Sequence, residues 1–260
     1  IPANMIESLI YERESTQREA ISEVSSKWAE SQTIMGPFIS IPFTKKVRDL
    51  SKSDSTISYV MVKNYIHVLP SKLNITCKMI PEKRYRGIYE IVVYNSKINV
   101  SGTFITPNYQ SAEINLEDIQ FDNAFFSVGI NDLRGIEKQI DLNWNNSRFN
   151  FNPGVVNNDI IASGMNSRIT IDSVQKNYVF SFDLDLNGSQ LLYFTPVGKE
   201  TDVKVNSPWS NPSFNGAFLP DNRSINSNGF KADWNILHLN RNYPQSWIGN
   251  KYSISESAFG

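Results

Sequence analysis

The sequence predicts a mainly β protein: a large antiparallel two-sheet sandwich with one long N-terminal helix. From about residue 40 onward, more than ten short runs rich in Val, Ile, Tyr and Phe are separated by Asn, Gly and Pro, which is the signature of strands and turns. Only one segment, near the N-terminus, shows helical spacing of apolar residues. Strands without crossover helices must be mostly antiparallel, and two stacked sheets suit a chain of 260 residues.

The N-terminal helix is predicted over residues 4–32. Apolar residues are spaced three or four residues apart in three groups: Met5 and Leu9, Ile6 and Ile10, and Ile21, Val24 and Trp28. The middle of the segment is charged, and Gly36-Pro37 is expected to end the helix. We therefore divide the chain into a helix within residues 1–35 and a β-sandwich domain over residues 36–260.

The strands follow from the change of period from 3.6 to 2. They are predicted at residues 57–63, 72–80, 88–94, 98–105, 112–118, 119–130, 168–174, 178–189, 191–196, 201–205 and 230–239. Two regions, 142–167 and 206–229, are rich in turn residues. The first is either a long surface loop or a linker between two sub-sandwiches, with a break near 142–167.

Composition excludes several classes of protein. The 25 basic and 26 acidic residues leave a formal net charge of -1, so we expect no nucleic-acid partner, because such binding needs a clustered basic face. The sequence has no apolar run of the length that crosses a bilayer. Its lone cysteine, Cys77, lies in an apolar-alternating run and is interpreted as a small buried hydrophobe.

Motifs for metals and catalysis are weak. His67 and His238 lie in apolar stretches, and a site made of these two residues with Cys77 is a minor alternative. The stretch Asp183 to Gly188 spells the first half of a calcium loop, but Phe194 stands where the closing Glu is needed. Nucleophile elbows and phosphate loops are absent from the sequence. We predict no catalytic residue, no metal site and no cofactor.

The segment 207–220, SPWSNPSFNGAFLP, is the most distinctive part of the sequence. Aromatic residues between prolines are typical either of a platform for a sugar or peptide, or of a plug that closes the end of a sandwich. The candidate ligand-binding residues are Trp209, Phe214, Trp234, Arg86 and Arg134. For each of them, an ion pair or core packing is the structural alternative.

A set of landmarks follows in order along the chain. They are MIESLIYERESTQREA near the start, Trp28, Gln32, GPFISIPF at 36–43, RGIYEIVVYNS at 86–96, Gly102 with Phe104, NDLRGI at 131–136, NGSQLLYFTPVGKET at 187–201, SPWSNPSFNGAFLP at 207–220, GFKADWNILHLNRNYPQSW at 229–247 and Phe259-Gly260. Taken in this order, the landmarks resemble the CreD family of cell-envelope integrity proteins. The run from Trp209 to Gln245 is the most specific of them, and the resemblance extends over essentially the whole chain.

The resemblance implies a place and a process but no reaction. It implies a bacterial inner-membrane protein with one N-terminal membrane helix, a large domain outside the cytoplasm, and several C-terminal membrane helices. On this basis the chain is expected to be the periplasmic domain, with the N-terminal helix continuing from a membrane segment absent from this sequence. The membrane is then its partner through flanking helices.

The expected function is that of a non-catalytic module in envelope integrity and the stress response. It would bind or sense an envelope component, with an envelope protein or a glycan as the partner. The alternatives are a sandwich enzyme that acts on envelope glycans and a carbohydrate-binding module. Two carboxylates in a cleft near Trp209 or Trp234 would favour the enzyme, and a flat row of exposed aromatics would favour the carbohydrate-binding module.

Overall fold

The computed structural model describes residues 3–48, 59–106, 114–172 and 175–260. One α-helix, α1 (Ala3–Trp28), precedes fifteen strands in this part of the chain. The strands are β1 (Gln32–Arg48), β2 (Tyr59–Val68), β3 (Lys72–Arg86), β4 (Tyr89–Ile105), β5 (Ala124–Ile130), β6 (Asp141–Trp144), β7 (Ser147–Asn150), β8 (Asn152–Pro153), β9 (Gly164–Ile169), β10 (Asn177–Ser189), β11 (Leu192–Phe194), β12 (Glu200–Ser207), β13 (Asn222–Asn226), β14 (Gly229–Leu237) and β15 (Ser246–Ile248). The predicted mainly β class with one N-terminal helix is confirmed.

The strands form two sheets. The seven-stranded sheet has the order β15-β2-β1-β5-β9-β8, with β11 pairing in parallel with the start of β1. The eight-stranded sheet has the order β13-β14-β12-β3-β4-β10-β6-β7. All pairs in it are antiparallel except β3 with β12, where Asn206 lies opposite Lys78 at the last parallel position. The mostly antiparallel pairing agrees with the sequence prediction.

Aromatic side chains from both sheets meet in the core. Phe126 on β5 is fully buried and its ring lies 5.3 Å from that of Phe180 and 6.1 Å from that of Phe182, both on β10 of the other sheet. Phe104 and Trp144 complete the contacts at 5.9 and 6.0 Å. Edge-to-face contacts of this kind add to the free energy of burial. The two sheets are therefore joined around Phe126.

Strand β10 shows how the alternation of apolar and polar residues in the sequence corresponds to the two faces of the sheet. Phe182, Leu184 and Leu186 are buried, and Asp183 and Asp185 lie on the other face. There Asp183 accepts a hydrogen bond from Asn99 at 2.8 Å and Asp185 pairs with Lys138 at 2.5 Å. The alternation predicted for the Asp183–Gly188 stretch is confirmed, and its carboxylates serve the solvent face of the sheet.

Helix α1 packs against the sheet with its C-terminal half. Ala20 is buried and Ile21, Val24 and Trp28 pack with it on Ile91 and Val93 of β4. The N-terminal half stands away from the sheet, and several apolar residues on it are about half exposed or more: Met5, Ile6, Leu9, Ile10 and Tyr11. Within the described part of the chain, no helix combines the length and apolar composition that a membrane span requires.

The predicted end of the helix is wrong. The helix ends at Trp28, and residues 32–35 belong to β1. The backbone N–H of Glu30 donates to Asp132 Oδ2 at 3.1 Å, so a tertiary contact redirects the chain before the sequence signal at Gly36-Pro37. Gly36-Pro37 instead lies inside β1, where the pairing with β5 shifts register between Met35 and Phe38, as in a β-bulge.

The other differences concern strand boundaries and strands that were not predicted, among them β1, β13 and β15. The predicted strands at 88–94 and 98–105 are one continuous strand, β4. The strand predicted at 112–118 is wrong for its second half, because Leu116–Asp118 form a 3-10 turn, and residues 112–113 lie outside the described residues. The region 142–167 is only partly a loop: it contributes β6 and β7 to one sheet and β8 and β9 to the other, and residues 154–163 between β8 and β9 are irregular. Buried residues before and after it belong to one hydrophobic cluster.

Removing the central ring should destabilise the whole sandwich. We expect Phe126→Ala to lower the free energy of unfolding by about 3–5 kcal/mol, since it leaves a cavity between the sheets. Urea denaturation measures this, with Phe126→Leu expected to lose less. Tyr85→Ala, at a side chain that is 66% exposed, is the control and should change the value by less than about 0.5 kcal/mol. Equal losses for Phe126→Ala and the control would contradict this core.

Candidate ligand pocket

A pocket lies at one end of the eight-stranded sheet, where its strands have unequal lengths. Strand β12 ends at Ser207 because Pro208 has no backbone N–H to continue the ladder. Strand β3 continues to Arg86, paired with β4 alone. The β3–β4 ribbon therefore extends beyond β12 and leaves a notch beside it. The segment that follows Pro208 lies across this notch.

The pocket has a volume of about 220 Å³. Eighteen residues line it, and none of these eighteen has a charged side chain. They come from both sheets, the segment after β12 and the last residue: Met79, Pro81, Val92, Tyr94, Gln190, Leu191, Leu192, Tyr193, Phe194, Val205, Trp209, Asn211, Pro212, Ser213, Phe214, Phe230, Trp234 and Gly260. Predominantly apolar and aromatic walls are typical of pockets that bind small ligands.

The polar groups of the inner walls are already satisfied by the protein. The indole N–H of Trp209 donates to Asn211 O at 2.7 Å, and that of Trp234 donates to Phe218 O at 3.3 Å. The Tyr94 hydroxyl donates to Leu191 O at 2.7 Å, and burial raises its pKa. These side chains thus present ring surface to the pocket. Polar side chains that are exposed, such as Gln190, Asn211 and Ser213, lie at the rim.

The C-terminal residues hold the segment 214–218 in place. Gly260 and Asn215 exchange two backbone hydrogen bonds at 2.9 and 3.2 Å, and Phe259 forms bridges to Phe194 and Gly216. Gly216 has φ +98°, and a Cβ there would lie 2.4 Å from Ala258 O. A glycine is therefore needed for this close approach. The fully buried Phe259 ring contacts Trp234 at 5.5 Å and closes the pocket from behind.

A lysine stands at the mouth of the pocket. Lys83 Nζ lies 5.6 Å from the centre of the Trp209 ring, within the range of a cation–π contact. Its ammonium also pairs with Glu90 at 2.8 Å, a hydrogen bond that raises the pKa of Lys83. The pocket thus has uncharged walls and one cation next to its rim.

The structure brings together three of the five candidates from the sequence. Trp209 and Phe214 are half-buried and Trp234 is buried, and all three line the pocket. Phe214 packs edge-on against Trp234 at 5.8 Å. The aromatic segment both closes the end of the sandwich and forms a concave surface, so the two interpretations of residues 207–220 describe the same residues.

The other two candidates hold α1 against the sheet. Arg86 pairs with Glu23 of the helix at 2.7 Å. Arg134 donates to Ser26 O at 2.9 Å, one of the last carbonyls of the helix, and forms two hydrogen bonds with Asp132. A cation at a helix C-terminus is favourable because it meets the negative end of the helix dipole. The Arg134 guanidinium also lowers the pKa of Asp132.

The residues of the alternative metal site lie on separate elements. His67 is on β2 of one sheet, Cys77 is on β3 of the other, and His238 is in a turn after β14. Cys77 is fully buried, and burial raises the pKa of its thiol to about 12, as expected for a small hydrophobe. Among the described residues, no three His, Cys, Asp or Glu side chains converge in a geometry that would hold a metal ion.

His67 forms a buried hydrogen-bonded chain with two other side chains. Its Nδ1 lies 2.9 Å from Ser40 Oγ and its Nε2 lies 3.1 Å from Asp159 Oδ2. Since a carboxylate only accepts, Nε2 carries the proton and Nδ1 accepts from the Ser40 hydroxyl. Ser40 is 1% exposed and His67 is fully buried. This chain of hydrogen bonds joins β1, β2 and the segment before β9.

Sequence reasoning missed one wall of the pocket. Met79 and Pro81 on β3 face Val92 and Tyr94 on β4 and the aromatic segment. These residues appear in the sequence as ordinary strand positions, and nothing local marks them. The signal that was available is Pro81, since proline inside a strand marks an edge without a neighbour on one side.

The fold and the pocket define a class: a two-sheet β-sandwich domain with an aromatic, uncharged pocket at one end. The chain belongs to the family described as Inner membrane protein CreD, whose family model matches residues 1–260. It is 26% identical over 254 residues to Inner membrane protein CreD of Escherichia coli (strain K12), an alignment that covers 96% of this chain and 53% of that protein. The chain thus spans about half the length of this curated relative.

Removing Arg134 should loosen the end of the helix. In Arg134→Ala, we expect hydrogen exchange of the backbone amides of residues 20–28 to rise several-fold, because Ser26 O and Asp132 lose their cation. Amides in the centre of β10 should be unchanged. Arg148→Ala is the matched control, since Arg148 pairs with Asp141 far from α1 in sequence and on another strand. Faster exchange in both variants would contradict the assigned role.

The buried imidazole should make stability depend on pH. Burial lowers the pKa of His67 below its ordinary value of 6.5, although Asp159 opposes the shift. The unfolded chain therefore binds the proton more readily, and stability should fall as the pH drops through 6.5 toward the folded pKa. Urea midpoints across this range should fall less for His67→Gln than for the parent chain. Parallel profiles for the two proteins would refute this assignment.

Proposed function

We propose that this chain is the non-catalytic, periplasmic domain of an inner-membrane protein of the bacterial envelope, and that its pocket binds an envelope component. The observation that carries the proposal is the convergence of Trp209, Phe214 and Trp234 on one uncharged concavity. The family supports the place at the inner membrane. The parts of the protein outside these 260 residues would hold it there, and a ligand signal would serve envelope integrity and the stress response.

The pocket supports binding rather than catalysis. An enzyme that hydrolyses glycans needs two carboxylates that flank the scissile bond. The eighteen residues that line this pocket contain no Asp or Glu. Nearby, Glu90 is paired with Lys83 at 2.8 Å, a hydrogen bond that lowers the pKa of Glu90 and keeps it ionised. A general acid needs the opposite shift.

The aromatic residues also differ from the arrangement expected of a carbohydrate-binding platform. Such a platform would present a flat row of exposed rings. Here Trp234 is 3% exposed and Trp209 is half-buried, and Phe214 meets Trp234 at an interplanar angle of 72°. The rings surround a cavity, which favours a ligand that enters the protein over one that lies across its surface.

Site-specific crosslinking tests the proposal in the envelope. A photoreactive amino acid at Ser213, an exposed residue of the rim, should give discrete adducts with an envelope component in cells that produce the full-length protein. The same amino acid at Ser227, exposed in the turn before β14, is the matched control. Mass spectrometry should find the adducts only at position 213. They should disappear when Val92→Phe fills the pocket.

Two results would contradict a binding pocket. One is an identical set of adducts at positions 213 and 227, which would reflect random collision. The other is a set of adducts at 213 that is unchanged by Val92→Phe, since Val92 lines the pocket and the larger ring reduces its volume. In either case the convergence of aromatic residues would serve only to close the sandwich.

A further inference from the structure

The ligand class can be narrowed within the proposed function, on which this inference rests. We propose that the pocket binds part of an acyl chain of an envelope lipid, with the lipid phosphate beside Lys83. The inference concerns the same concavity between the β3–β4 ribbon and the segment after Pro208. It follows from the hydrogen-bonding state of the walls, the volume, the cation at the mouth and the apolar surface around it.

The walls offer ring faces and methyl groups but little polar recognition. The N–H groups of Trp209 and Trp234 and the hydroxyl of Tyr94 are all donated to backbone carbonyls of the protein. A sugar that entered would leave its hydroxyls without partners, and each buried polar group without a hydrogen bond is costly. An apolar chain has no hydrogen bonds to lose in this environment, and its burial removes apolar surface from water.

The volume suits part of a chain rather than a whole lipid. An engineered apolar cavity of about 150 Å³ binds one benzene molecule. The 220 Å³ of this pocket therefore accommodate a short apolar segment. The remainder of the chain and the headgroup must lie outside the mouth. This is where the exposed rim side chains Gln190, Asn211 and Ser213 are found.

Lys83 is placed to meet a phosphate at the mouth. Its ammonium has three donors, of which one is used by Glu90 at 2.8 Å. Its position 5.6 Å from the Trp209 ring keeps it at the edge of the pocket. The two neighbouring arginines of the ribbon contact the helix instead: the Arg84 guanidinium lies 5.1 Å from the centre of the Trp28 ring, and Arg86 pairs with Glu23. Lys83 is thus the cation of the ribbon that stands over the pocket.

Exposed apolar and aromatic side chains lie among the charged residues near the mouth. Ile88 at the end of the β3–β4 ribbon is 83% exposed and Tyr85 is 66% exposed. Leu191, which lines the pocket, is 38% exposed. Apolar and aromatic side chains at the tip of an element are suited to the interface of a bilayer. In a family of inner-membrane proteins, this surface favours a lipid over an apolar peptide side chain as the occupant.

Fluorescence quenching by brominated lipids tests the inference on the 260-residue chain. Bromine quenches tryptophan at contact distance, and both Trp209 and Trp234 line the pocket. We expect brominated lysophosphatidylglycerol and a brominated monoacylglycerol, both kept as monomers, to quench at saturable concentrations. Val92→Phe should lower the affinity for both lipids by about tenfold or more. Val179→Phe, at a residue 58% exposed on β10, is the matched control and should not.

Lys83→Gln separates the headgroup from the chain. It should lower the affinity for lysophosphatidylglycerol several-fold and leave the affinity for the monoacylglycerol, which has no phosphate, unchanged. Equal loss for both probes would overturn the role of Lys83. Absence of saturable quenching, or quenching that Val92→Phe does not reduce, would overturn the acyl-chain assignment.

A second pair of probes keeps the inference distinct from the proposed function. Chito-oligosaccharides and a Leu-rich peptide are added to the same proteins. If either perturbs the fluorescence in a manner sensitive to Val92→Phe while the brominated lipids do not, the pocket binds another class of ligand. The acyl-chain inference would then fall and the proposed binding function would stand.

Discussion

Strand β4 is buried on both faces between Ile91 and Tyr94, and the pocket depends on this constraint. Ile91 and Val93 face α1, while Val92 and Tyr94 face the pocket. A β-strand alternates its side chains between two faces, so a four-residue stretch that is apolar throughout needs cover on both. The helix supplies one cover. The aromatic segment supplies the other, but it does so incompletely, and the gap that remains is the pocket.

The gap persists because the groups that surround it are hydrogen-bonded to other parts of the protein. Trp209 and Trp234 are tied to carbonyls of Asn211 and Phe218. The segment that carries Phe214 is paired with Gly260 through Asn215. Protein interiors usually close around empty space because contacts across it are lost. Here closure would require breaking these hydrogen bonds, so the aromatic walls are held apart.

The position of the helix behind the pocket is fixed by two arginines. Arg86 and Arg134 link it to the β3–β4 ribbon and to the turn after β5. Both arginines are exposed, and in the sequence they resemble candidates for binding. Their partners, Glu23 and Ser26 O, lie 63 and 108 residues away along the chain. Their role is to position α1, and through α1 the back of the strand that forms the pocket.

Local patterns predicted what depends on local physics. The alternation of Phe182, Leu184 and Leu186 predicted β10 and its buried face. The aromatic residues of 207–220 predicted that this segment forms either a binding surface or a plug at the end of the sandwich. The predicted end of the helix was wrong because Asp132, which is distant in sequence, accepts a hydrogen bond from the backbone N–H of Glu30. The β3 wall was missed because it depends on the parallel pairing of β3 with β12, which no local pattern encodes.

The most direct test of whether an apolar pocket stays open between β4 and the aromatic segment is a crystal of the chain under xenon pressure. An empty apolar cavity takes up xenon, whereas a polar one holds ordered water. The account predicts a xenon atom between Val92, Phe214 and Trp234, with the Trp209 and Trp234 indole hydrogen bonds intact. A chain of hydrogen-bonded waters at that position, or the Trp209 ring packed onto Met79 with no space between them, would contradict it.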